Sequence, residues 1–194
     1  TQEGYIQGVD GDGLMALAGR HDTVVRLRPR PGDFLRKGDV LADVSLDDEP
    51  TEELIAAFNE TVIVGMRRTP RQDVECAVHE LVEVAVRSLS PGINDPFTAM
   101  SCIDRLGATL SRLVRRKIPS PDRYDAEGRL RLTARPTSFS GVLDAAFIQI
   151  RLYGRSNPVV MLRLLDALGA IARAAERDED KRHVLNHVRT IVDE

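Results

Sequence analysis

From about residue 70 onward the apolar positions recur every three or four residues. Val74, Ala77, Val78, Leu81, Val82, Ala85 and Leu89 follow that spacing in 72–89. Phe97, Met100, Ile103, Leu106, Leu110, Leu113 and Val114 follow it in 96–116. A stripe of this period marks a helix with one buried face. Three more helices are predicted over about 139–153, 158–175 and 180–192. Their stripes include Met161, Leu164, Leu165, Leu168, Ile171 and Ala175, then Val184, Leu185, Val188, Ile191 and Val192. Five such helices can share one core, so 71–194 reads as a mainly antiparallel helical bundle. Residues 117–137 interrupt it, with turn residues around RLRLTA, a predicted strand.

The first 46 residues read differently, as a small β subdomain with one short helix. GYIQGVD is a predicted strand, and DGLMALAGRHD carries Leu14, Leu17 and Ala18 at helical spacing. TVVRLRPR (23–30) alternates apolar and basic residues, the period of a half-buried strand. Gly32 and Gly38 mark turns before VLADV (40–44), another strand. The order strand, PGD, strand, GD, strand resembles part of a biotinyl- or lipoyl-like barrel-sandwich. The Met-Lys-Met of a lipoyl or biotin attachment hairpin does not occur, so the resemblance is to the fold alone. Residues 47–70 form an acidic linker with short elements: LDDEPTEE (46–53), then EELIAAF as a short helix and TVIVG as a short strand. The expected class is therefore α+β.

Composition narrows the function. The chain has 194 residues, 42% hydrophobic and 29% charged, which suits a globular protein with a real core. Its net charge is −3 and aromatics make up 4%. Nucleic-acid binding generally needs a basic excess and stacking platforms, so no nucleic-acid partner is expected. Cys76 and Cys102 fall in different predicted helices, at heights differing by about 10 Å in a tight hairpin. That is too far for a disulfide, and two unpaired thiols suit a reducing compartment. The most apolar run, VVMLRLLDALGAIA (159–172), is broken by Arg163 and Asp166, so no segment is expected to span a bilayer. The chain starts TQEGY, without Met, and reads as part of something longer.

The stretch SLSPGINDP (88–96) holds the densest polar chemistry. Ser90-Pro91-Gly92 is a helix stop and Asp95-Pro96 a helix start; Asn157-Pro158 repeats that start. Asn94, Asp95 and Thr98 also gather near a helix N-terminus, where free N–H groups attract anions. His79 and Glu83 lie four apart on one face, a spacing that can bind a metal or form a proton-transfer pair; residue 83 is Glu, so this is not HExxH, and a partly exposed ion pair is preferred. His183 and His187 in HVLNH have metal-ligand spacing. No third ligand is evident nearby, so they are expected to be surface histidines, and neither a metal nor a cofactor is expected. Basic residues cluster at Arg26, Arg28, Arg30, Arg36 and Lys37, at Arg67, Arg68 and Arg71, and at Arg112, Arg115, Arg116 and Lys117. The first two clusters could dock on an anionic lipid, but a solvated face balanced by the acidic 39–53 segment is preferred. GxGxxG, P-loop, GxSxG and CxxC motifs do not occur.

Two blocks resemble a known family. They are GYIQGVDGDGLMALAGRHDTVVRLRPRPGDFLRKGDVLADV (4–44) and RRTPRQDVECAVHELVEVAVRSLSPGINDPFTAMSCIDRL (67–106). In this order and spacing they are similar to the bacterial predicted-membrane-protein family called domain of unknown function 2254, most specifically in RTPRQD and RSLSPGINDPFTA. The resemblance highlights Arg68, Gln72, Asp73, Ser90, Pro91, Gly92, Asn94, Asp95, Pro96 and Thr98. It implies a soluble C-terminal region whose partner is the membrane, reached through an N-terminal transmembrane region that this chain lacks. The expected setting is the bacterial inner membrane with this region in the cytoplasm, as a homo-oligomer. The expected role is non-catalytic: oligomerisation, sensing or regulation. The alternative is a small-ligand or anion-binding enzyme at Asp73, Asn94 and Asp95, with Arg68 and Thr98 in its ligand shell. In a strict antiparallel hairpin the two helix starts that hold them lie about 25 Å apart.

Overall fold

The computed structural model describes residues 3–46 and 49–193. The acidic 46–53 stretch falls partly on residues 47 and 48, outside the described residues. The chain is a mixed α/β protein, with seven helices and two small sheets among the described residues. It divides into two units, Thr1–Asp73 with Pro119–Pro136, and Val74–Ile118 with Thr137–Glu194.

In the first unit, β1 (Gly4–Val9) alternates buried and half-buried positions, as its sequence requires. It pairs antiparallel with β3 (Phe34–Leu35) on one side and β5 (Val62–Gly65) on the other. Tyr5 and Phe34 meet edge to face at 5.0 Å across the first pair. The second sheet has the order β4-β2-β7-β6. Here β2 (Val25–Leu27) lies between β4 (Ala42–Val44) and β7 (Leu130–Thr133), and β6 (Asp122–Tyr124) forms the far edge. Helix α1 (Gly11–Arg20) starts at Asp10, which accepts from Gly13 N at 3.0 Å, and α2 (Glu52–Glu60) starts at Thr51. Leu14 and Ala18 of α1 form a core with Val25 and Leu132.

Among the described residues the strands form two open sheets and no closed barrel, so the resemblance to part of a barrel-sandwich is not borne out. One edge of β2 is joined by β7, running parallel from residues 130–133. That join is fastened by polar chemistry. Arg131, only 3% exposed, donates to Asp22 at 2.6 Å, to Asp125 at 2.8 Å and to the Thr23 carbonyl at 3.3 Å. Arg129 donates to Asp125 at 3.0 Å and to Asp22 at 3.3 Å. A guanidinium can lose its water only where its donors find such partners.

The second unit holds α3 (Val74–Ser88), α4 (Pro96–Leu113), α5 (Phe139–Gly154), α6 (Pro158–Ala174) and α7 (Asp178–Asp193). Asp95 and Asn157 cap α4 and α6, each accepting from two backbone N–H groups, with Pro at the first position. The predicted stripes supply the core: Val82, Ile103, Leu106, Leu110, Leu164, Leu168 and Ile171 are buried with Leu143, Phe147 and Ile150 of α5. Phe97, Leu185 and Val192 are exposed instead, at 75%, 45% and 70%.

The helix directions also differ from a mainly antiparallel packing. Gly107 of α4 faces Ala167 of α6 and Asp104 faces Arg163, so these two helices run parallel. Glu75 in the first turn of α3 and Leu89 just past its end approach Gly141 and Gly154 of α5, which makes α3 and α5 parallel too. Consecutive helices reverse, so alternate helices share a direction, and here the alternate ones pack together. At Gly107 an added Cβ would stand 3.0 Å from the Ala167 Cβ, so the absent side chain is what lets the backbones approach.

Two outcomes follow. Gly107→Leu forces α4 and α6 apart and destabilises the fold by about 1–3 kcal/mol, the usual overpacking range, read as a lower denaturant midpoint. The second concerns acid. Burial acts to raise the Asp125 carboxyl, but the Arg131 hydrogen bond, the Arg129 backbone N–H and both guanidinium charges outweigh it, lowering its pKa from 3.8 to about 2. A carboxylate depressed in the folded state contributes stability above its ordinary value, and loses it as pH falls through 3.8 toward 2. Unfolding measured between pH 5 and pH 2 should show a steep loss for the native chain and a flatter one for Asp125→Asn.

Candidate functional site

The residues singled out by sequence divide between the two units. In the first, Arg68 grips Asp73 through Nε and Nη2, at 2.7 and 2.9 Å. Asp73 is buried. The pair packs on the PGD turn: Gly32 has φ +97°, and a Cβ there would meet Asp73 Oδ2 at 2.4 Å. The neighbouring Gln72 pairs with the backbone of Val9, accepting its N–H at 3.0 Å and donating to its carbonyl at 3.2 Å. The RTPRQD block thus ties the end of the first unit to β1 and its turn.

In the second unit, SLSPGINDP folds as a tight corner. Asn94 N and Ile93 N donate to the Ser90 carbonyl, and Asp95 N donates to the Ser88 carbonyl at 2.8 Å. Asn94 takes a left-handed conformation, φ +47°, which Asn tolerates better than most side chains. Asp95 accepts from the Thr98 hydroxyl at 2.5 Å and from the N–H groups of Thr98 and Phe97. The Thr98 hydroxyl is the main cause, and its backbone N–H the second, of an Asp95 pKa held below the ordinary value. Arg68 and Asp73 are thus brought together, as are Asp95 and Thr98, while exposed Asn94 shapes the turn. Glu83, paired by sequence spacing with His79, receives a hydrogen bond from Arg87.

The histidines of HVLNH behave otherwise. Their four-residue spacing puts both rings on the face of α7 that meets α5. His183 and His187 each direct Nε2 at Oδ1 of Asp144, at 2.9 and 2.7 Å. The ring centroids are 5.6 Å apart. One donor atom from each of the three residues lies within 4.8 Å of the others. His187 is buried, whereas His183 and Asp144 keep one side toward solvent. Burial pushes the His187 pKa below its ordinary value, the Asp144 hydrogen bond works against that, and the charges of His183 and Arg151 add to the lowering. Two imidazoles and a carboxylate with an open side are a ligand set for a transition metal. The third ligand, not evident near the histidines in sequence, is 39 residues upstream of His183. One signal was present: Asp144 is the only acidic residue of α5, a helix otherwise rich in apolar side chains.

The first unit also contains a cavity of about 710 Å³ lined mostly by apolar residues, among them Leu14, Leu27, Leu54 and Phe58. Leu46 and Glu49 at its rim flank residues outside the described set.

Among the described residues no helix is long and apolar enough to cross a membrane. The chain is similar to uncharacterized proteins of Mycobacterium bovis and Mycobacterium tuberculosis, at 32% identity over 174 residues. The match takes in 88% of this chain and 33% of each relative, so the chain spans about a third of their length. No solved structure matches it. The model of the family described as predicted membrane protein, domain of unknown function 2254, matches residues 1–170, and α7 with its histidines lies beyond that match. With most of its length covered, the chain belongs to this family of predicted membrane proteins.

Proposed function

We propose that this region is a regulatory module of a bacterial inner-membrane protein, placed outside the bilayer on the cytoplasmic side, and that it works by docking and release of α7 rather than by turnover of a substrate. The observation that carries the reading is the seat of α7. Only one apolar side chain of this helix, Val184, is fully buried; Val188 and Ile191 are half-buried. Its other buried residues are Asp180 and His187. The side-chain hydrogen bonds that tie this helix to α5 are those of Asp144 with both histidines; Arg177 with Asp180, at 2.5 Å, closes only the helix's own first turn. An element with little buried apolar area opens at a lower free energy than the core. A ligand that prefers the docked state then shifts its population.

Other features support the setting. The family description supports attachment to a membrane, through a transmembrane region of the longer protein. Buried thiols at Cys76 and Cys102 suit a reducing compartment. Exposed Phe97, Val159 and Leu162 support assembly with further copies of the chain, and a net charge of −3 argues against a nucleic-acid partner. An anion-binding enzyme at Asp73, Asn94 and Asp95 has less to rest on, because Arg68 grips Asp73 and Asp95 caps its own helix.

Amide exchange in the full-length protein, in chelator, tests the reading. Asp144→Ala removes two hydrogen bonds of about 1 kcal/mol each, so α7 amides should exchange roughly tenfold faster or more. The amides of α4 and α6 should stay as they were. Unchanged protection of α7, or turnover by the purified protein in a broad substrate screen, counts against it.

A further inference from the structure

The convergence of Asp144, His183 and His187 goes further than a hydrogen-bonded contact. We infer that these three side chains form a binding site for a divalent first-row transition-metal ion, of the Zn²⁺ or Co²⁺ kind, which clamps α7 onto α5. The inference names the ligand of the α7 docking proposed above, and its regulatory meaning rests on that reading.

Imidazole nitrogen and carboxylate oxygen suit zinc and its neighbours, whereas Mg²⁺ and Ca²⁺ prefer all-oxygen shells. For metal–ligand bonds of about 2.0–2.1 Å, donors at right angles stand about 2.9 Å apart and tetrahedral donors about 3.3 Å. The two Nε2–Oδ1 distances, 2.9 and 2.7 Å, lie close to that spacing, and the three donor atoms all lie within 4.8 Å of one another, within reach of side-chain rotation. Two ligands come from one face of α7 and the third from α5, so an ion bound to all three must hold the helices together. His187 is buried and gives the site a fixed wall. His183, 31% exposed, and Asp144, 41% exposed, leave an open side where water completes the shell.

A carboxylate only accepts, so with both rings neutral the metal-free contacts are Nε2–H donations to Asp144. When the ion enters, each neutral ring carries its proton on Nδ1 and turns the Nε2 lone pair to the metal. No net proton and no oxidant is needed. The ligands contribute one negative charge, and the Arg151 cation, which acts on His187, opposes the ion. A single carboxylate against that opposition favours a strongly coordinating ion over a purely electrostatic one.

The test uses the tag-free 194-residue chain, stripped with chelator and titrated with Zn²⁺ and Co²⁺. Expected are saturation at one ion per chain, visible Co²⁺ ligand-field bands, and a melting temperature raised by several degrees in excess Zn²⁺. Mg²⁺ and Ca²⁺ should do neither. Asp144→Asn, and His183→Ala combined with His187→Ala, should weaken binding at least tenfold, while His79→Ala leaves it unchanged. Should the variants not fold, X-ray absorption on the zinc-loaded native chain decides: two imidazole nitrogens with oxygen ligands support the site. Sulfur in the shell would place the ion at a cysteine and overturn the inference. So would the absence of saturable binding, or binding undiminished in folded variants. If no metal binds yet α7 loosens in Asp144→Ala under chelator, the metal inference falls and the docking reading stands.

Discussion

The close contact of α4 with α6 at Gly107 and Ala167 is the constraint on which the second unit depends. With no side chain at Gly107, the two backbones approach and the leucines on either side interlock. Leu106 and Leu110 of α4 and Leu164, Leu168 and Ile171 of α6 are all buried by that approach. A core so close-packed transmits the position of one element to the next. α5 then lies along α3 in the same sense, and its inner face carries Leu143, Phe147 and Ile150 into the shared core. Asp144, next to Leu143, is turned to the flank where α7 docks.

The first unit is held together by a different principle. Its strands are short; among the described residues Leu14, Ala18, Val25 and Leu132 form one apolar cluster, and Ile6, Leu17, Leu35 and Leu54 are buried as well. Polar contacts fasten it further. Arg131 ties β7 to the turn after α1, the Arg68–Asp73 pair clasps the PGD turn, and Gln72 imitates a strand partner for Val9. Two of these contacts join residues far apart in the chain, Arg131 to Asp22 across 109 positions and Gln72 to Val9 across 63. Removing one member would leave a buried charge or a backbone group without its partner, which is why such networks fail as units.

The functional proposal concentrates on the least apolar helix. α7 is bound to its neighbours by Val184, by half-buried Val188 and Ile191, and by the hydrogen bonds of its two histidines to Asp144. In a protein that belongs to a family of predicted membrane proteins, a helix so held can report a ligand's presence without chemistry on that ligand. The corner at SLSPGINDP, chemically the richest stretch in the sequence, is built from local bonds. Its Asp95 carboxylate is consumed by the N-terminus of α4, and Asn94 supplies a left-handed turn.

The sequence by itself determined the local elements and one identity. Apolar spacing located the five long helices of the second unit, because a buried helical face must repeat at the helix period. Asx-Pro starts placed α4 and α6, because capping is satisfied by neighbours in the chain. The blocks at 4–44 and 67–106 carried the family resemblance. Tertiary structure alone decided the rest. Periodicity says which face of a helix is buried but not which helix covers it, so the parallel pairing of α3 with α5 and α4 with α6 was not legible. β2 gave no sign that its partner would arrive from residues 130–133. His183 and His187 were visible as a pair, but Asp144 belongs to another helix, and only packing brings its carboxylate to within 3 Å of both rings. A ligand set spread over two helices is a property of their docking, and docking is written in no single stretch of sequence.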